Sequence, residues 1–128
     1  MVEAYDPQAD SWQRVASMPR GLSDHAAAVM GGKIYVTGGE TGQQLAVNSA
    51  YVYDPQADAW TQLASMGNAR RNHASAAMGG KLYVFGGLGG DDHDECLSMA
   101  EVYDPVSNSW AQVTSLTSAR GFLVAAAL

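Results

Sequence analysis

The chain has a single cysteine, Cys96, in 128 residues, so no disulfide within it can hold the fold together. That usage fits a reducing compartment, and a cytoplasmic location is expected. Basic residues are scarce. Seven Lys and Arg stand against 13 Asp and Glu, for a net charge of -6. Proteins that grip nucleic acid neutralise phosphates with Lys and Arg, so nucleic acid is not expected among the partners. No apolar run approaches the ~20 residues of a membrane-spanning helix, and no membrane partner is expected. The opening MVEAYDPQAD lacks both the basic and the apolar segments of a signal peptide. Only three histidines are present, too few for a copper centre built from several of them.

Glycine is what the chain has in excess, 14 of them, and they recur in a pattern. MGGKIYVTGG at residues 30–39 returns as MGGKLYVFGG at 78–87, a shift of 48. Self-similarity at a period of about 40 to 50 residues marks a repeat architecture. Gly31-Gly32 and Gly79-Gly80 suit the two positive-φ positions of a tight hairpin turn. The residues after each pair alternate with period two and are β-branched or aromatic, which predicts a short strand. Gly38-Gly39 and Gly86-Gly87 end it, where a bend or a close backbone leaves no room for a side chain.

The repeat runs further. AYDPQADSW at 4–12, VYDPQADAW at 52–60 and VYDPVSNSW at 102–110 place Tyr5, Tyr53 and Tyr103, and likewise Trp12, Trp60 and Trp110, 48 and 50 residues apart. A strand ends at each Tyr, Asp-Pro starts a turn, and Trp opens the returning strand. Asp10, Asp58 and Asn108 stand where a left-handed residue is expected. A loop with Arg follows, then an Ala-rich run whose small residues suggest the most crowded strand. Each repeat therefore holds four short strands: a (Ala-rich), b (before the second Gly-Gly), c (ending at Tyr) and d (starting at Trp). The expected organisation is strands c and d of a first unit at 1–18, full units at 25–66 and 73–116, and strand a of a further unit at 120–128.

Four-stranded antiparallel sheets of ~50 residues, repeated, resemble the blades of a kelch β-propeller. The paired glycines, the Tyr of strand c, the Trp of strand d and the Arg before strand a carry the resemblance. The expected fold class is all-β: a kelch-type β-propeller fragment of about two full blades plus flanking strands. Gly38, Gly39, Tyr53, Trp60, Gly86, Gly87, Tyr103 and Trp110 are its structural motif. The Tyr-Asp-Pro spelling is most similar to kelch domains of BTB-kelch proteins, substrate adaptors of cullin ubiquitin ligases. Propellers have about four to eight blades, so the chain is read either as part of a larger propeller or as a protein that completes a ring with a second copy. In such a homodimer the junction blades hold strand a from one chain and c and d from the other, with b missing.

Alternating strand directions put the b–c and d–a loops on one face. Variable loops on a rigid scaffold are where binding residues concentrate. Candidates for partner contact are Arg20, Ser23, Asp24, Gln43, Arg70, Arg71, Asn72, Asp91, Asp92, His93 and Arg120. The resemblance implies that such a face grips a protein or peptide, and Arg suits carboxylates on it. Arg20, Arg70 and Arg120 read as one recurring position, which favours a scaffold role for them. The acidic run 91–96 lacks the ligand spacing of a calcium loop and the second His or Cys of a transition-metal site. It is read as a solvated acidic loop; the alternative is that it selects basic partners, opposite in sign to the Arg-based idea, and the sequence leaves the sign open. No cofactor is expected. The leading expectation is a non-catalytic interaction module, with substrate recognition for ubiquitination as its sharper form. A fragment of a propeller enzyme, of oxidase or sugar-acid epimerase type, and a purely structural unit are the alternatives.

Overall fold

The computed structural model describes residues 1–42, 45–89 and 95–127. Its twelve strands are β1 (Val2–Asp6), β2 (Ser11–Val15), β3 (Ala26–Met30), β4 (Lys33–Thr37), β5 (Ala50–Asp54), β6 (Ala59–Gln62), β7 (Ala74–Met78), β8 (Lys81–Phe85), β9 (Leu88–Gly89), β10 (Glu95–Cys96), β11 (Ala100–Asp104) and β12 (Ser109–Val113). No helix interrupts them among the described residues. The all-β expectation holds. Strands β3-β4-β5-β6 form one antiparallel four-stranded sheet and β7-β8-β11-β12 another, while β1 and β2 pair as a two-stranded sheet.

Local chemistry sets these sheets. Gly31 and Gly32 turn β3 into β4 at φ of 57° and 74°, conformations that cost glycine nothing. The c–d turns use side chains instead. Asp54 Oδ1 accepts from the Gln56 backbone N–H at 2.9 Å, and Asp104 repeats this with Val106 at 2.9 Å. Asp58 and Asn108 then take positive φ, 47° and 48°.

Blades join at two levels. At the outer level, Trp60 Nε1 donates to the Ala16 carbonyl at 2.7 Å, while the Ala16 N–H donates to Asp58 Oδ1 at 2.8 Å. Trp110 and Asn108 hold Ala64 the same way, at 2.8 and 3.0 Å. Each full blade thus clips one peptide of the unit before it. At the inner level, β3 lies against β7. The core sits between the two full blades, where Tyr35, Leu82 and Tyr103 bury together with Val52, Leu63 and Trp110 around them. The matching position one blade earlier, lined by Ala4, Val15, Ile34, Tyr53 and Trp60, is a cavity of about 500 Å³. Among the described residues β1 and β2 pair only with each other, and no inner strand covers this position.

Two expectations about the Ala-rich strands change. Val29 and Met78 are 68% and 56% exposed, so crowding is confined to the strand starts at Ala26 and Ala74. Residues 124–127, expected to continue strand a of a further blade, form no ladder. In each full blade strand a pairs with strand b, and the described residues hold no strand b for this segment.

Candidate interaction face

The b–c and d–a connections meet on one face, and backbone hydrogen bonds fix them. Gly38 shows why glycine stands at the exit of strand b. A Cβ there would collide with the Arg70 carbonyl oxygen, and φ is +57°. The close approach lets the next residue, Gly39, donate to that same carbonyl at 2.8 Å. Gly87 repeats the bond to Arg120 at 2.9 Å. A further chain of bonds crosses the repeats: Asn72 N–H donates to the Asp24 carbonyl at 2.9 Å and Phe122 N–H to the Asn72 carbonyl at 2.8 Å. Asp24, Asn72 and Phe122 all take positive φ, 55°, 51° and 53°. Asp24 and Asn72 therefore occupy a recurring backbone position, although their surroundings differ.

These bonds also correct the register of the arginines. Ser23 exchanges backbone bonds with Glu40 as Arg71 does with Leu88. Ser23 thus corresponds to Arg71, and Leu22, not Arg20, corresponds to Arg70. Arg120 is the true counterpart of Arg70, since its N–H donates to Leu97 as that of Arg70 donates to Val47. Arg20 is exposed and lies at the position of Asn68.

Arg70 is no contact residue. It is fully buried, donating to the Gly86 and Met99 carbonyls at 2.8 and 2.9 Å and to Glu101 at 2.8 Å. Burial pulls its pKa down, with Glu101 opposing that. Glu101 also accepts from the Gly67 and Asn68 N–H groups, at 2.6 and 3.3 Å. One carboxylate therefore ties the d–a loop to strand c of the next blade. Sequence reading missed Glu101. The signal was present in the repeats: where Glu101 and Arg70 stand in one unit, Tyr51 and Leu22 stand in the unit before, and Pro19, without an N–H, replaces Gly67.

The side chains left on the open face form a small cluster. Arg71 Nη1 lies 2.9 Å from Glu40 Oε2 and 3.8 Å from Asp24 Oδ2. Ser23 Oγ donates to Glu40 Oε1 at 3.5 Å. The fold thus gathers Ser23, Asp24 and Arg71, and adds Glu40, which was not singled out. Arg120 is exposed at the other end of the face, its Nη2 donating to Ser118 at 2.8 Å. Asn72 is half-buried. Gln43, Asp91, Asp92 and His93 lie outside the described residues. The exposed pair Glu95–Cys96 belongs to β10, which pairs with β9.

The arrangement suits hydrogen bonding and ion pairing to a peptide. Among the described residues no group of three His, Cys, Asp or Glu could hold a metal. A hydroxyl–imidazole pair, Thr37 Oγ1 and His73 Nε2 at 2.8 Å, is buried, with Thr37 1% exposed. Burial first, then the charge of Arg70, pushes the His73 pKa down to about 3. Its neutral form is the one the fold favours, bonded to Thr37. His25, its counterpart, is exposed.

A family model described as the KLHDC2/KLHL20/DRC7 Kelch-repeats domain matches residues 2–123. No curated protein matches the chain.

Proposed function

This chain belongs to the kelch-repeat domains, and from that premise we propose that it recognises a protein or peptide through its b–c and d–a loops. Kelch-repeat domains are in general protein-interaction modules, so the coarse class follows from membership. The sharper reading rests on one observation. Ser23, Asp24, Glu40 and Arg71, from the d–a loops of two successive repeats and a b–c loop, converge on the open face of a hydrogen-bonded frame. Binding groups held by a rigid scaffold lose little entropy when a partner arrives.

With Arg70 internal, the charged groups described on this face are Arg20, Arg71 and Arg120 with Asp24, Glu40 and Glu95. A mixed face of this kind favours a partner carrying both signs. The chain supplies recognition and no chemistry. As the substrate-reading part of a ubiquitin ligase, the sharper form that its Tyr-Asp-Pro spelling suggests, it would leave transfer to other subunits. A second copy is a further partner in this reading.

Selection of a displayed random-peptide library against the chain tests the loop face. Enriched peptides should lose at least tenfold in affinity on Arg71→Ala and on Glu40→Ala. Peptides that bind both variants as tightly as the parent would place recognition elsewhere.

A further inference from the structure

The clip between blades is made twice within the chain, and among the described residues its two halves each occur once more, apart from one another. Asp58 and Trp60 hold the Ala16 peptide, and Asn108 and Trp110 hold that of Ala64. The third copy of the clip is Asp10 and Trp12. It is already set. Tyr5 donates to Asp10 Oδ1 at 2.8 Å, as Tyr53 does to Asp58 and Tyr103 to Asn108, both at 2.8 Å. The Tyr5 and Trp12 rings are 5.2 Å apart and tilted by 41°, against 5.1 Å with 38° and 44° in the other two pairs. Yet Trp12 is 67% exposed and Tyr5 46%.

The third peptide of the series is that of Thr114. Leu116 donates to the Ser98 carbonyl as Met66 donates to that of Asn48, so Thr114 corresponds to Ala64. Thr114 is exposed just beyond β12. The same end carries residues 123–127, placed beside the inner strand β7, where Leu123, Val124 and Ala125 share a cavity with His73 and Ser75. Within the chain, an inner strand in that place belongs to the next blade.

Resting on the reading that a second copy is a partner, we infer that two copies of this chain join head to tail, with Asp10 and Trp12 of one holding the Thr114 peptide of the other. The Trp12 indole N–H donates to the Thr114 carbonyl and the Thr114 N–H donates to Asp10. Residues 123–127 of the second copy then lie along the inner side of the first copy's β1–β2 unit. The interface between the chain's own blades is the template for each of these contacts. A two-fold axis makes the contact twice and closes a ring. Each copy brings three sheets of the blade series, so about six blades result, within the range of closed propellers.

The test is molar mass by light scattering on a size-exclusion column over a range of concentrations. The parent chain should run at twice the monomer mass. Trp12→Ala, at an exposed position, should weaken association at least tenfold with an unchanged far-ultraviolet spectrum, and so should Thr114→Pro, which removes the donor. Mixing the two variants pairs an intact head with an intact tail and should recover part of the association. Val106→Ser, at a 95% exposed apolar residue outside the clip, should change nothing. A monomer at every concentration overturns both the inference and the second-copy reading. A dimer that ignores Trp12→Ala, or a mixture that recovers nothing, overturns the head-to-tail clip alone.

Discussion

Arg70 and Glu101 meet at 2.8 Å with side chains 0% and 4% exposed. In the preceding repeat the same two positions hold Leu22 and Tyr51. The chain thus contains a buried ion pair and, at the same two positions of the preceding repeat, a Leu and a Tyr. Breaking a buried pair from one side strands a charge, at a cost of about 3–5 kcal/mol, whereas a well-packed apolar exchange can be neutral. Glu101→Gln should therefore lower stability by about that much in urea unfolding. The combined variant Gly67→Pro, Arg70→Leu and Glu101→Tyr, which copies the preceding repeat, should recover most of the loss. A combined variant no more stable than Glu101→Gln would show that the two settings are not equivalent.

Asp58 Oδ1 accepts from both Ala16 N–H and Tyr53 hydroxyl. The first of these bonds, then the second, lowers the Asp58 pKa. Asn108 performs the same role without charge. Asp58→Asn should therefore melt close to the parent. Asp58→Gly keeps the positive φ and loses both bonds, and Asp58→Ala adds backbone strain, so their melting temperatures should fall in that order. The Tyr53 phenol is held up mainly by its bond to Asp58. It should ionise at lower pH in Asp58→Asn, which a spectrophotometric titration reads out.

His73 is buried neutral, with its pKa near 3 against an ordinary 6.5. As pH falls below 6.5 the unfolded chain takes up the proton first. Its contribution to stability is complete above pH 6.5 and is lost progressively toward pH 3, at up to ~1.4 kcal/mol per pH unit. Denaturant midpoints measured between pH 7 and 5 should fall in the parent and stay nearly level in His73→Gln. A level parent curve would mean that the imidazole charges freely in the fold.

Gly31 and Gly38 share a φ of 57° but not surroundings. Nothing lies within 4 Å of a Cβ at Gly31, whereas one at Gly38 collides with the Arg70 carbonyl oxygen. Gly31→Asn should cost less than about 1 kcal/mol, since Asn tolerates the left-handed region. Gly38→Ala should cost several times as much, because the backbone must move to admit the methyl group. Equal costs in a thermal melt would place the whole burden on φ and none on the contact.

How much of this was legible depended on the range of the interaction. Adjacent residues settle the hairpins: Gly31-Gly32, Asp54-Pro55 and the alternation of Lys33–Thr37 are local conformational preferences, and with the 48- and 50-residue spacings they were enough for an all-β kelch-type fold. The loop face was harder. Counting arginines forward from the strands aligned Arg20 with Arg70. Only the backbone bonds Ser23–Glu40 and Arg71–Leu88 set the true register, because the loops between the anchors carry no periodicity of their own.

The sequence by itself determined the repeat, its turns and the aromatic pair of every blade, since those are written in contiguous residues under short-range steric rules. Tertiary structure alone decided which polar side chains are internal. Arg70 and Arg71 are neighbours in the chain, yet one is sealed by Glu101 and the other faces Glu40 and Asp24. That difference arises from where the next blade packs, and from whether it brings a carboxylate to the position, as Glu101 does, or a ring, as Tyr51 does in the repeat before.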